Sequence, residues 1–135
     1  MKIAYCIAEN AGLSFNGRRV SRDLKILENI KKEAGNGKIC VENGSAGIFE
    51  RLGIEVLCIS SADEAEKDCI FFAESESEAY LDKSDTLVIY KFNRSYPADV
   101  FIPSEKINAE FELISAEDFQ GASHERITKE IYRRK

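Results

Sequence analysis

The side chains best suited to chemistry lie in three polar stretches of the sequence. The first runs from Glu9 to Lys25 and contains Asn16, Arg18, Arg19 and Arg22. Guanidinium groups bind phosphate and carboxylate through paired hydrogen bonds, and arginine does this better than lysine. The stretch is therefore predicted to bind a small anionic or phosphate-bearing ligand, such as a nucleotide. The alternative is a solvated surface on which the arginines pair with nearby carboxylates.

The second polar stretch contains Asn93, Arg94 and Tyr96. It follows a strand-like run, and ligands of open α/β sheets bind beyond the carboxyl ends of the strands, where helix N-termini present free N–H groups. Ser45 is placed at the same edge because it can cap a short helix after another predicted strand. The predicted ligand-binding residues are Asn16, Arg18, Arg19, Arg22, Ser45, Asn93 and Arg94.

The third polar stretch holds the chain's one histidine, His124. Histidine is the side chain whose ordinary pKa suits acid–base work near neutrality. His124 and Tyr96 are therefore the predicted catalytic residues. If the domain is an enzyme, the predicted reaction is metal-independent phosphoester hydrolysis, including nuclease activity. The alternative is an exposed polar histidine at the start of a helix.

Charge and composition limit the classes of function. The chain has 135 residues and a formal net charge of -5, which argues against binding a long stretch of nucleic acid and leaves room for a local basic patch. A short RNA could still stack on Phe15 and Tyr96. Acidic residues crowd the segment from 63 to 85. This segment predicts an alternative function, a non-enzymatic inhibitor or immunity-type protein whose acidic face binds a basic protein partner.

Several motifs are missing from the sequence. There is no G-x-G-x-x-G or P-loop spacing and no clear metal-ligand set, so neither a cofactor nor a metal is predicted. No signal-peptide pattern or membrane-length apolar run is present, which predicts a cytoplasmic protein without membrane contact. The four cysteines lie in apolar runs without C-x-x-C spacing. They are predicted to be reduced and buried.

Strand and helix patterns alternate along most of the chain. Strands are predicted at 2–8, 38–42, 54–59, 69–73 and 86–92, with helices capped by Ser21, Ser45 and Ser75 between some of them. The last third is predicted to form strands at 100–102 and 111–114 and a helix from Ser123. This pattern indicates one α/β domain over 1–135, with a mostly parallel sheet, helices on both faces and an antiparallel edge.

The stretches F-N-G-R-R-V-S-R-D at 15–23, Y-K-F-N-R-S-Y-P-A-D at 90–99 and F-Q-G-A-S-H-E-R-I-T-K-E-I-Y at 119–132 resemble a group of small proteins from Gram-positive bacteria. Some of these carry the automated label "ribonuclease Z". True ribonuclease Z holds a zinc pair with several histidines, including an H-x-H-x-D-H run, and one histidine cannot supply it. These three stretches hold nearly all the arginine, asparagine and histidine that a polar site would need, so we expect them to meet in space.

Overall fold

A computed structural model describes residues 1–75 and 77–135, and its main feature is a seven-stranded mixed sheet. Five parallel strands form most of it: β1 (Lys2–Ile7), β4 (Ile39–Val41), β5 (Leu57–Cys58), β6 (Ile70–Ala73) and β7 (Thr86–Lys91), in the order β5-β4-β6-β1-β7. Two antiparallel strands, β9 (Phe111–Phe119) and β10 (Ile127–Arg134), extend the sheet beyond β7. The predicted fold class is confirmed, including its antiparallel edge.

Helices cover both faces of this sheet. Helices α1 (Leu24–Ala34) and α2 (Gly47–Glu50) pack on one face, which we call the α1 face. Helices α3 (Glu78–Asp82) and α4 (Ser104–Glu110) pack on the other, the α4 face. Alternate residues of β1 point to opposite faces, so that Ala4 packs under α1, while Tyr5 and Ile7 lie in the core of the α4 face. Strand β1 therefore contributes side chains to two hydrophobic cores, one on each face of the sheet.

The arginine-rich stretch forms a hairpin where the sequence predicted a loop. Strands β2 (Gly12–Phe15) and β3 (Arg18–Arg19) are joined by Asn16 and Gly17, whose φ angles of 50° and 75° are both positive. An Asn-Gly pair between two strands is typical of a hairpin turn, so the sequence contained the information needed to predict this hairpin. Strand β8 (Val100–Phe101) pairs with β2 and completes a separate three-stranded sheet.

The end of the chain is a strand, so the prediction of a helix beginning at Ser123 is wrong. His124 lies in the connection between β9 and β10. Ile127, Lys129 and Ile131 alternate along β10, and the first two are buried. Their spacing of two is that of a strand, and pairing with β7 and β9 on both sides satisfies the backbone of β10. Helix α4 was not predicted, and β9 is longer than expected.

Smaller differences concern boundaries and cysteines. The N-cap of α1 is Asp23 rather than Ser21, because its Oδ1 accepts a hydrogen bond of 2.9 Å from the backbone N–H of Lys25. All four cysteines are free thiols, and Cys58 is exposed, against expectation. No helix among the described residues is long and apolar enough to cross a membrane.

Candidate functional site

A buried histidine joins two distant parts of the chain. His124 is only 4% exposed, and its Nδ1 lies 3.0 Å from Oδ2 of Asp23 at the start of α1. On the opposite side of the ring, Nε2 lies 2.9 Å from the hydroxyl oxygen of Tyr96 and 3.2 Å from Oγ of Ser21. The ring of Phe92 stacks on the imidazole with a centroid distance of 4.7 Å. We call Ser21, Asp23, Tyr96 and His124 the histidine cluster.

Asp23 is held by the loop that carries the histidine. Its carboxylate accepts hydrogen bonds of 2.9 Å from the backbone N–H groups of Ala122 and Ser123. Burial alone would raise the pKa of Asp23, but these N–H donors, with His124 and the N–H of Lys25, lower it to about 2. Asp23 is therefore an ionised carboxylate at neutral pH.

The ionised Asp23 decides which nitrogen of His124 carries the proton. A carboxylate only accepts hydrogen bonds, so Nδ1 is the protonated nitrogen of the neutral ring. The lone pair of Nε2 then faces two hydroxyl donors, those of Tyr96 and Ser21. A single lone pair accepts well from one of them at a time. His124 and Asp23 are buried, whereas Ser21 and Tyr96 are partly exposed, so the cluster reaches the surface through its hydroxyls.

Two predicted catalytic residues, His124 and Tyr96, thus lie in direct contact. The sequence reading missed Asp23 as a site residue and treated Ser21 only as a helix cap. No motif spacing announces this arrangement, because 101 residues separate His124 from Asp23. The pairing of β10 with β7 brings the loop around His124 to the carboxyl end of β7, where the segment of Tyr96 begins.

Arg19, by contrast, already has an anionic partner. Its guanidinium group donates two hydrogen bonds to the carboxylate of Glu74, from Nε to Oε2 and, at 2.9 Å, from Nη2 to Oε1. The hydrogen bond to Glu74 raises the pKa of Arg19. Glu74 is the first residue after β6, and its side chain is 14% exposed. The pair ties the hairpin to the main sheet.

The other predicted ligand-binding residues are dispersed. Asn16 lies in the exposed turn of the hairpin, where its backbone N–H donates to Asp99 Oδ2 at 3.1 Å. The Asn93 amide donates to Thr128 Oγ1 at 2.9 Å, and the buried Ser45 ends a 3-10 turn. Arg18, Arg22 and Arg94 are exposed.

The carboxyl edge of the parallel strands is acidic. Glu9 follows β1 by two residues, while Glu42 and Glu74 directly follow β4 and β6. Of these, Glu74 is neutralised by Arg19. The described residues contain no group of three or more His, Cys, Asp or Glu side chains that could hold a metal ion.

Two concave regions lie away from the histidine cluster. A groove of about 990 Å³ runs between the end of α1 and the segment from Gly53 to Leu57. It contains none of the predicted site residues. A smaller pocket of about 300 Å³ lies on the α4 face, between β1, β7, β10 and α4.

The structure as a whole, a mixed sheet with helices on both faces, has the fold of dihydrofolate reductase. The structure is similar to a dihydrofolate reductase from Enterococcus faecalis, complexed with NADP(H) and RAB-propyl, with a TM-score of 0.70. The likeness covers 98% of this chain and 95% of the reductase at 15% sequence identity, so it establishes the fold. No family model matches the sequence, and no curated protein does either.

These findings correct the predicted function. The expectation of an anion or phosphate ligand, including nucleotide or short RNA, is wrong, because the fold is that of a dihydrofolate reductase. Arg19, a central member of the predicted anion site, is moreover paired with Glu74. The likeness also gives no support to ribonuclease activity. The acidic segment from 63 to 85, of which residue 76 lies outside the described residues, remains a prediction as a protein-binding face.

Proposed function

We propose that the protein is an enzyme that transfers acyl groups from small uncharged carboxylic esters, with Ser21 as the nucleophile. The observation that carries this proposal is the chain of hydrogen bonds through His124. Oγ of Ser21 lies 3.2 Å from Nε2, and Nδ1 lies 3.0 Å from Asp23. A hydroxyl within reach of a base that a carboxylate orients is the arrangement that activates serine nucleophiles on many unrelated folds.

The chemistry follows from the protonation states. Nε2 of His124 takes the hydroxyl proton while Oγ of Ser21 attacks the ester carbonyl carbon. Collapse of the tetrahedral adduct breaks the bond to the leaving alcohol, which receives that proton from His124. Water, deprotonated by the same nitrogen, then hydrolyses the ester on Ser21, and the carboxylic acid leaves. Asp23 stabilises the imidazolium ion formed in each half of the cycle.

A further feature supports an uncharged substrate. Glu9 and Glu42 at the carboxyl edge of the parallel strands repel substrates with an anionic acid group.

The residues present do not fit the dinucleotide that the structural neighbour binds. A diphosphate needs a glycine-rich turn and a helix N-terminus with free N–H groups beyond a strand. Here β6 is followed by Glu74, and helix α3 has only five residues. Residues 74–82 contain no glycine. The turn after β4 contains Gly44 and Gly47, but the N–H groups of Ser45 and Ala46 already donate to backbone carbonyl groups, and helix α2 has only four residues. The proposed reaction therefore uses the side chains of the histidine cluster alone.

The experiment that tests the proposal is covalent labelling with a fluorophosphonate, a reagent that reacts with activated serine hydroxyls. We expect one label per chain, located on Ser21 by mass spectrometry and lost in Ser21→Ala and His124→Gln. Ser95→Ala is the matched control, because the Ser95 hydroxyl is also exposed but donates to Glu9 instead of lying beside an imidazole. Its labelling should equal that of the parent chain.

Tyr96→Phe sharpens this test. The Tyr96 hydroxyl competes with Ser21 for the lone pair of Nε2, so its removal should increase the rate of labelling. The thermal midpoint of every variant shows whether the fold is retained. Absence of labelling in a folded parent chain, or unchanged labelling in Ser21→Ala, would contradict the proposal. Loss of reactivity in Tyr96→Phe alone would make the tyrosine the reacting hydroxyl.

A further inference from the structure

The pocket of about 300 Å³ on the α4 face has an apolar wall and a charged end. Ile7 of β1 and Ile89 of β7 lie on the sheet side, and Ile107 of α4 lies opposite them. The pocket is large enough for a small organic molecule, since known ligand sites begin at roughly this volume. His124 packs against Phe92 in the core of the other face, so the pocket and the histidine cluster are separate sites.

The charged end of the pocket is built around Glu130 of β10. Its side chain is 12% exposed, and its Oε1 forms an ion pair with Lys91 Nζ at 3.1 Å and accepts a hydrogen bond of 3.0 Å from the Tyr132 hydroxyl. Among the described residues, no hydrogen bond is found to the other oxygen, Oε2. A largely buried carboxylate therefore has acceptor capacity left at a pocket wall, and such capacity favours a charge-assisted donor.

The net charge of the pocket selects the sign of the ligand. Glu130 and Glu9 supply two negative charges, and Lys91 supplies one positive charge that is already paired with Glu130. One negative charge remains in excess. An anion would be repelled by this excess, because the only cation among the described lining residues, Lys91, is already paired. A cation would instead pair with the remaining acceptor oxygen of Glu130.

We propose that this pocket binds a small organic cation with an apolar body, such as an amidinium or an alkylammonium ion. The cationic group donates to Oε2 of Glu130, and the apolar body packs against Ile7, Ile89 and Ile107. The proposal does not depend on the reaction assigned to Ser21, because no residue of the histidine cluster lines the pocket.

Three molecules of similar shape and different charge test the proposal: benzamidine, benzamide and benzoate. Titration of the whole chain, followed by amide chemical shifts and thermal midpoint, should show saturable binding of benzamidine near Ile107 and Glu130. Benzamide should bind at least about tenfold more weakly, because it lacks the charge that pairs with Glu130. Benzoate should not bind. Equal or tighter binding of benzoate would overturn the proposal.

Two variants locate the site. Glu130→Gln keeps the shape of the pocket and should reduce benzamidine affinity about tenfold, whereas Glu112→Gln on the exposed strand β9 should leave it unchanged. Ile107→Phe fills the apolar part and should weaken benzamidine and benzamide alike. If Glu130→Gln does not fold, Ile107→Phe still tests whether benzamidine binds in this pocket. Full benzamidine affinity in a folded Ile107→Phe or Glu130→Gln chain would place the binding elsewhere.

Discussion

At the scale of single residues, Asp23 links stability to pH. Its pKa in the folded protein is about 2, below the ordinary value of 3.8. A depressed carboxylate pKa stabilises the fold above the ordinary value, and the contribution disappears as pH falls from about 4 to about 2. The same carboxylate orients His124, so stability and the proposed chemistry share one group.

We therefore predict that Asp23→Asn lowers the free energy of unfolding by about 2 kcal/mol at pH 7. The variant should also lose less stability than the parent chain when the pH is lowered from 4 to about 2, because its amide does not titrate. Urea unfolding at several pH values measures both effects. Asp63→Asn is the matched control, since the Asp63 side chain is 98% exposed. Equal acid sensitivity of the parent chain and Asp23→Asn would contradict the assignment.

A second residue-scale prediction concerns Gly121, which packs against the same carboxylate. A Cβ atom at this position would lie 2.5 Å from Asp23 Oδ2 and 2.8 Å from the carbonyl oxygen of His124. Both atoms belong to the network that holds the loop, so neither can move freely. Gly121→Ala should destabilise the protein by about 1–3 kcal/mol. It should also shift the imidazole resonances of His124 in the NMR spectrum.

Gly44→Ala provides the comparison for Gly121→Ala, because a Cβ at Gly44 meets no atom within 4 Å. Its effect on the free energy of unfolding should stay within about 0.5 kcal/mol. If the two alanine variants have equal stability, the contact between Gly121 and Asp23 does not constrain the loop.

At the scale of elements, the ion pair between Arg19 and Glu74 adds to the packing of Leu13 in holding the hairpin β2–β3 on the main sheet. We predict that Arg19→Met destabilises the protein by about 1–2 kcal/mol, because Glu74 is mostly buried and would lose its cation. Amide hydrogen exchange at 12–19 should accelerate more than exchange in β1. Arg18→Met, which removes the neighbouring exposed arginine, should change neither quantity.

A double-mutant cycle separates the pair from other effects. Arg19→Met and Glu74→Gln together should cost less than the sum of the two single changes, since each removes the same interaction. Additive effects would mean that the guanidinium and the carboxylate stabilise the protein independently of each other.

The elements also show what local sequence can predict. The parallel strands and α1 were predicted because apolar runs and helical spacing are local properties. The Asn16–Gly17 turn was also locally encoded, but the arginines beside it were interpreted as a ligand site. Ile127–Arg134 is compatible with a helix or a strand when taken alone. The strand is stabilised by pairing with β9, its neighbour along the chain, and with β7, which is distant in sequence.

The same argument applies to the candidate site. The sequence identified His124 and Tyr96 by residue type, and the fold brings them to 2.9 Å. Asp23 could not be recognised as a site residue from the sequence. Its position explains it as a helix N-cap, and its contact with His124 joins residues 101 positions apart. The ion pair between Arg19 and Glu74 was not predicted either, because the two residues lie 55 positions apart in the sequence.

At the scale of the whole molecule, a shared fold does not imply a shared ligand. This chain has the fold of dihydrofolate reductase over 98% of its length, yet acidic side chains follow three of its parallel strands. Arg19 neutralises Glu74, but Glu9 and Glu42 remain where a dinucleotide would need N–H donors and positive charge. The net charge of -5 adds a further repulsion for anions.

We therefore predict that NADPH does not stabilise the protein. A ligand present at 100 times its Kd adds about 2.7 kcal/mol to the free energy of unfolding, which would raise the midpoint of a domain of this size by several degrees. With NADPH at about 100 μM, an unchanged midpoint excludes micromolar affinity for the folded state. A saturable rise would instead show that the acidic edge accepts a diphosphate. Repeating the measurement with benzamidine in the same buffer distinguishes a chain that binds nothing from one that binds cations and rejects anions.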